Sequence, residues 1–135
     1  MSIIDGMNAA TIAMTAQAQR MNVIAGNVAN MDTVASSPEE AHKARLVQFE
    51  TIYHGEAQTV VVSDVANSTM PHRPIFDPAN PLANEDGYVF ASNVNREEQM
   101  VDLMSAQQSY EANAMVAKTL KNLAITTIKS IKSNQ

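Results

Sequence analysis

Side chains suited to acid/base, nucleophilic or metal chemistry are few and scattered along this sequence. Histidines stand at 42, 54 and 72, with no His-Glu-x-x-His pattern, no second histidine at helical spacing and no cysteine partner. Each reads as a loop or surface residue. The lack of any cysteine removes thiolate nucleophiles, thiolate metal sites and disulfides together. Glu39-Glu40 and Glu97-Glu98 are adjacent carboxylates, but neighbours on a helix point in different directions and do not form an acid/base dyad. With four glycines and no GxGxxG, P-loop or GxSxG pattern, phosphate cradles and nucleophile elbows are absent too. Asn67-Ser68-Thr69 fits the N-glycosylation acceptor pattern, a three-residue signal that chance supplies readily. The expectation is a protein that is not an enzyme, with no catalytic residue, cofactor or metal.

What remains is a chain built to pack. At 135 residues it suits one domain, and its 45% apolar content leans on Ala, Val, Ile and Met, with 4% aromatic residues and no Trp. Such small and flexible side chains suit helix seams better than a thick core. The net charge is -5, yet Asp5 and Arg20 are the only charges before Asp32. Lys118, Lys121, Lys129 and Lys132 follow Glu111 with no further carboxylate. That basic end reads as a solvated complement to the negative pole of a helix, not as a nucleic-acid patch, because no arginine cluster or aromatic platform accompanies it. The N-terminus lacks the basic and continuous apolar regions of a secretory signal, and no stretch reaches the ~18 apolar residues of a membrane span. Neither membrane insertion nor cleavage-linked secretion is expected; export, if any, takes another route.

The elements that must do the packing are legible from their periods. Met7, Ala10, Met14, Met21, Ile24 and Val28 follow a 3-4 alternation, interrupted only by Gln17, which predicts a long N-terminal helix with a coiled-coil-like stripe. A second stripe, Leu103, Ala106, Tyr110, Ala117, Leu120, Ala124 and Ile131, predicts a C-terminal helix from about Arg96 to Lys132, opened by an Asn95/Glu98 capping box. Between them ARLVQFETIY and AQTVVVSDV read as a hairpin turning at His54-Gly55-Glu56. MPHRPIFDPANPLANEDGY carries four of the five prolines and should be extended and irregular, before a short strand YVFA. The fold class is thus mainly α with a small β insert: long terminal helices packing as a coiled-coil-like pair, joined by a β-hairpin and a proline-rich loop. The helical domain is discontinuous, residues 1–33 with 95–135, and the insert is 34–94. IAGNVANMDT, residues 24–33, is a helix exit, made either through a left-handed residue or through side-chain bonds to the backbone.

Three stretches carry a resemblance. MTAQAQRMNVIAGNVANMDT, Met14 to Thr33, resembles the LTAQxxRxxVxAxNxANxxT pattern of flagellar rod and hook proteins. SYEANAMVAKTLKNLAITTIKS, Ser109 to Ser130, is similar to their SYxANxxVxxTxKxM helix. FDPANPLANEDGYVFASNVNREEQMVDLMSAQQSYEAN, Phe76 to Asn113, resembles the YxPxNPxAxxxGYVxxPNVxxxxEMVxxMxAxRSYxAN pattern of the proximal-rod branch. Asn27, Ala29, Asn30 and Thr33 match the shared motif, which implies that the exit lies where an inner-tube helix turns outward into the insert. The departures are Val34-Ala35-Ser36 where a Gly often occurs, Ala91-Ser92 where a Pro is common, and Gln108 for Arg. Replacing that Pro should loosen the approach to the C-terminal helix.

The resemblance implies a structural subunit of the bacterial flagellar rod in the periplasm. It also implies export by the flagellar type III apparatus and assembly with copies of itself and other rod proteins, with rod-base and MS-ring-associated proteins as further contacts. Seams of Met and Ala bury little surface until neighbours supply the other face, so folding should be coupled to docking. An aspartate at Met14 or Ile24 is expected to block assembly while synthesis proceeds. Two alternatives stay open: a coiled-coil adaptor or secretion chaperone, which would be a stable dimer with affinity for cargo, and a different rod-protein type of the same family.

Overall fold

A computed structural model describes residues 2–135. The elements run α1 (Ile3–Ala29), β1 (Val34–Ala35), β2 (Arg45–His54), β3 (Ala57–Asn67), β4 (Pro74–Phe76), β5 (Tyr88–Ala91) and α2 (Arg96–Ser133). Two long helices at the ends of the chain and a small antiparallel sheet region between them agree with the expected class.

Each helix begins on a side-chain cap. The Ser2 hydroxyl accepts a bond from the Asp5 N–H at 3.0 Å, and the Asn95 side-chain oxygen accepts one from the Glu98 N–H at 3.1 Å. Both satisfy a donor that the first helical turn cannot pair. Acidic residues follow in each first turn, Asp5 in α1 and Glu97 and Glu98 in α2, where the helix dipole favours them. Between Arg96 and Ser133 the sequence has neither Gly nor Pro, so nothing interrupts a helix of 38 residues, about 57 Å long.

The insert holds two sheets. Strands β2 and β3 form a two-stranded ribbon closed by Gly55-Glu56. Gly55 takes φ 63° and no non-glycine described residue has positive φ, the pattern of a II′ turn, which suits the twist of a tight hairpin. The second sheet has the order β1-β5-β4, antiparallel throughout, with Val34 opposite Ala91 and Ile75 opposite Val89. The proline-rich stretch is therefore less irregular than its composition suggests. Pro74 opens the edge strand β4, a position where its missing N–H costs no ladder bond.

Contacts gather the residues into two compact units, one of residues up to Arg20 with Phe49–Ser63 and Ser105–Gln135, the second of Met21–Gln48 with Asp64–Met104. The cores are made of small side chains: among the described residues the buried apolar positions are alanines except for Ile24 and Val89. Alanine contributes only about one methyl group of burial, so the chain by itself gains little from its core. In the first unit Ala9, Ala10, Ala13 and Ala16 of α1 are buried with Ala57 of β3 and Ala106 of α2. The Thr59 hydroxyl donates to the Ala9 carbonyl at 2.6 Å, anchoring β3 on α1. Thr59→Val keeps the shape but removes that buried bond, and should lower stability by about 1–2 kcal/mol, read as the shift of a urea unfolding midpoint.

Candidate assembly surfaces

The asparagines at the end of α1 do two different jobs. Asn27 lies inside the helix, only 1% exposed, and is among the largest fully buried side chains. Its Nδ2 donates to the Arg45 carbonyl at 2.9 Å and to Gln99 Oε1 at 3.0 Å, while its Oδ1 accepts from the Arg45 N–H at 2.9 Å. One side chain thus joins the last turns of α1, the start of β2 and the first turn of α2. Ala29 is the last helical residue. Asn30 and Thr33 make the exit: the Asn30 Nδ2 donates back to the Gly26 carbonyl at 2.9 Å, and the Thr33 hydroxyl to the Asn30 carbonyl at 2.7 Å. Backbone bonds from the Asn30 N–H to the Gly26 carbonyl and from the Thr33 N–H to the Asn30 carbonyl, both 3.3 Å, accompany them. No described non-glycine residue is left-handed, so the exit is made without a left-handed residue.

Asn93 is a second clamp, which sequence reasoning missed. Its Oδ1 accepts from the Ala44 N–H at 2.6 Å, its Nδ2 donates to the Met70 carbonyl at 2.9 Å, and its backbone N–H meets the His42 carbonyl at 3.3 Å. The neighbouring Ser92, buried, donates from its hydroxyl to the Met31 carbonyl at 2.6 Å and from its N–H to the Thr33 carbonyl at 3.2 Å. The approach to α2 is therefore pinned without the proline, contrary to the looseness expected from Ala91-Ser92. Val34-Ala35, the departure after Thr33, is strand β1.

The seam residues divide by exposure. On α1, Ala10 and Ile24 are buried and Met7, Met14, Met21 and Val28 are half-buried, while Ala9, Ala13, Ala16, Gln17 and Asn27 complete the innermost face. That face is turned by about one residue from the methionine stripe, and Gln17, the apparent interruption, belongs to it. On α2, Ala106 is fully buried, and Leu103, Tyr110, Ala117, Leu120 and Ala124 are half-buried. These are the helix positions turned toward the rest of the chain. Ile131 differs: from Ile125 to Gln135 every residue is exposed. Around the rest of its circumference α2 leaves Met100, Val101, Met104, Met115, Val116, Leu123 and Ile128 exposed. So many large apolar groups on one helix mark a surface awaiting partners.

One shallow groove of about 430 Å3 runs between Gly6, Ala9, Ala10 and Ala13 of α1, Ala57–Val60 of β3, and Asn113, Val116 and Leu120 of α2. Gly6 lets α2 approach closely there: a Cβ on it would stand 2.9 Å from the Leu120 Cδ1, so the Leu120 side chain would have to shift.

The histidines and carboxylate pairs remain apart. His72 Nδ1 donates to the Ala91 carbonyl at 2.8 Å and trims the sheet, and among the described residues His42 Nε2 is a buried nitrogen without a hydrogen-bond partner. No three His, Asp or Glu side chains among the described residues converge to hold a metal ion. No helix among them is long and apolar enough to cross a membrane.

Comparison with known proteins agrees with this geometry. Residues 7–34 match the family described as flagella basal body rod protein, and residues 85–129 match the C-terminal family of flagellar basal body rod FlgEFG proteins. The chain is similar to the flagellar basal-body rod protein FlgC of Escherichia coli O6:H1, 38% identical over 130 residues that cover 95% of this chain and 97% of the relative. FlgC of Buchnera aphidicola from Acyrthosiphon pisum is 37% identical over 95% of this chain and 97% of its own. FlgC of Bacillus subtilis strain 168 is 29% identical over 96% of this chain and 98% of its own.

Proposed function

We propose, starting from the premise that this chain belongs to the flagellar basal-body rod protein family, how it serves there as an FlgC-like structural subunit. It is a rod component of the basal body and not an enzyme. Its α1 and α2 act together as an axial module whose outward faces are completed by neighbouring subunits. The observation that carries this reading is the series of large apolar side chains that α2 leaves exposed along its length while the chain's own core is mostly alanine. Coiled-coil-like packing then arises between chains as well as within one.

Export by the flagellar type III apparatus fits the same economy. A core of small side chains offsets little of the ordering entropy, so the chain can travel largely unfolded and gain its stability at the growing tip. Torque transmission would follow from many interlocked helices, with methionines filling gaps between non-identical neighbours. The partners are other rod proteins and further copies of this chain, with rod-base and MS-ring-associated proteins below. The insert, pinned by Asn27 and Asn93, would face outward and make lateral contacts.

The test is to remove the chain from cells that make it. Swimming and rods should be lost from those cells, and isolated basal bodies should regain rods when the wild-type chain is supplied. Complete rods in its absence would refute the assignment, and a stable free dimer that binds unfolded cargo would favour the chaperone reading.

A further inference from the structure

The lysines of α2 are more than a solvated helix end. At about 100° per residue, Lys121, Ile125, Ile128 and Lys132 recur at four-three-four spacing and occupy one stripe about 60° wide. Glu97, Val101, Met104 and Gln108 repeat the same spacing near the start of the helix. All eight side chains are exposed. Each stripe sets two apolar groups between polar ones, but one carries cations and the other begins on a carboxylate, with Glu98 and Asp102 lining a shallow groove beside Val101. The two surfaces are complementary in shape of pattern and opposite in charge.

We propose that these stripes are the two halves of one contact between copies of this chain. The basic stripe of one α2 lies parallel on the acidic stripe of the next, shifted by about 24 residues or about 36 Å. Lys121 then meets Glu97, Ile125 meets Val101, Ile128 meets Met104 and Lys132 meets Gln108. The apolar pairs supply burial and the charges set the register, since acidic on acidic or basic on basic stripes would repel. The orientation rests on the rod reading above. At about 100° per residue the two stripes, about 24 residues apart, face about 120° apart round α2, so one neighbour covers one stripe and the other stays free for the next copy. A parallel contact keeps every copy pointing the same way along the rod, whereas an antiparallel one, Val101 on Ile128, reverses each successive copy.

The chain has no cysteine, which makes the register directly testable. In basal bodies from cells carrying only the Val101→Cys/Ile125→Cys chain, oxidation should give a ladder of cross-linked chains. Within one chain these positions lie about 36 Å apart on one helix, far beyond the ~7 Å Cα separation a disulfide tolerates, so every bridge joins two copies. Val101→Cys/Ile128→Cys should give at most about a tenth of that yield. In the Val101→Cys/Ile125→Cys background, E97K or K121E should each cut the ladder about tenfold, and E97K with K121E together should restore it to within about twofold. A stronger ladder from the 101/128 pair, or none from either pair in basal bodies that contain the chain, overturns the contact and leaves the rod assignment standing. Basal bodies from wild-type cells that lack the chain altogether would refute both.

Discussion

Asn27→Leu should destabilise the chain by about 3–5 kcal/mol, measured as the change in urea unfolding free energy of the purified protein. Leucine is close in volume, so packing alone does not predict so large a loss. The cost arises because the Arg45 N–H, the Arg45 carbonyl and Gln99 Oε1 all bond to the one Asn27 side chain. A buried group left unpaired costs about 1–3 kcal/mol. The Gln99 bond is buried and the two Arg45 bonds part-buried, and an apolar replacement breaks all three. Gln99, itself buried, cannot recover the bond from solvent without moving α2.

Asn27→Asp separates the hydrogen bonds from shape. The introduced carboxylate can still accept from the Arg45 N–H, but it loses both donors and faces two acceptor oxygens at a site 1% exposed. Burial and those oxygens favour its protonated form, raising its folded-state pKa above the unfolded value of about 3.9. Stability relative to wild type is then best below the unfolded pKa, declines as pH rises toward the folded pKa, and is flat above it. Urea midpoints of both proteins at about pH 4 and pH 7 should show the wider gap at pH 7. A gap independent of pH would place the introduced carboxylate in solvent.

The contrast between Asn27 and Asn30 shows where sequence reasoning reached and where it stopped. Period alone located both helices, because a stripe of Met, Ala and Leu at 3-4 spacing constrains the backbone whatever the chain packs against. The turn at Gly55-Glu56 was legible because positive φ favours glycine. Side-chain partners distant in sequence were not: Asn27 and Asn30 lie three residues apart in one motif, yet one looks inward to Gln99 and the other back to its own helix. Nothing local distinguishes them. Gln17 misled for the same reason, since a polar residue within an apolar stripe looks like a break until the buried face is seen to include it. Asn93 lies in the matched motif and Ser92 at its Pro position, yet neither they nor Gln99 showed their roles, being polar residues whose value comes from carbonyls and amides on other elements.

Met115→Asp should leave the free chain within about 0.5 kcal/mol of wild type and yet abolish rod assembly and swimming. Met115 is 69% exposed, so a carboxylate there stays hydrated in the free subunit. Once a neighbour covers that side of α2, the same charge is desolvated with no cation beside it, a penalty of several kcal/mol that repeats at every equivalent contact. Ile24→Asp fails at an earlier step. Ile24 is 4% exposed within the chain itself, so the charge disrupts the subunit's own core, and loss of swimming would then report misfolding, not a blocked interface. Ile24 therefore cannot serve as a probe of assembly, although its place in the stripe suggested it. Measuring urea stability and motility for both variants resolves the two effects. Met115→Asp should show normal stability without motility, and Ile24→Asp should lose both. Normal motility with Met115→Asp would mean that this side of α2 stays in water in the finished rod.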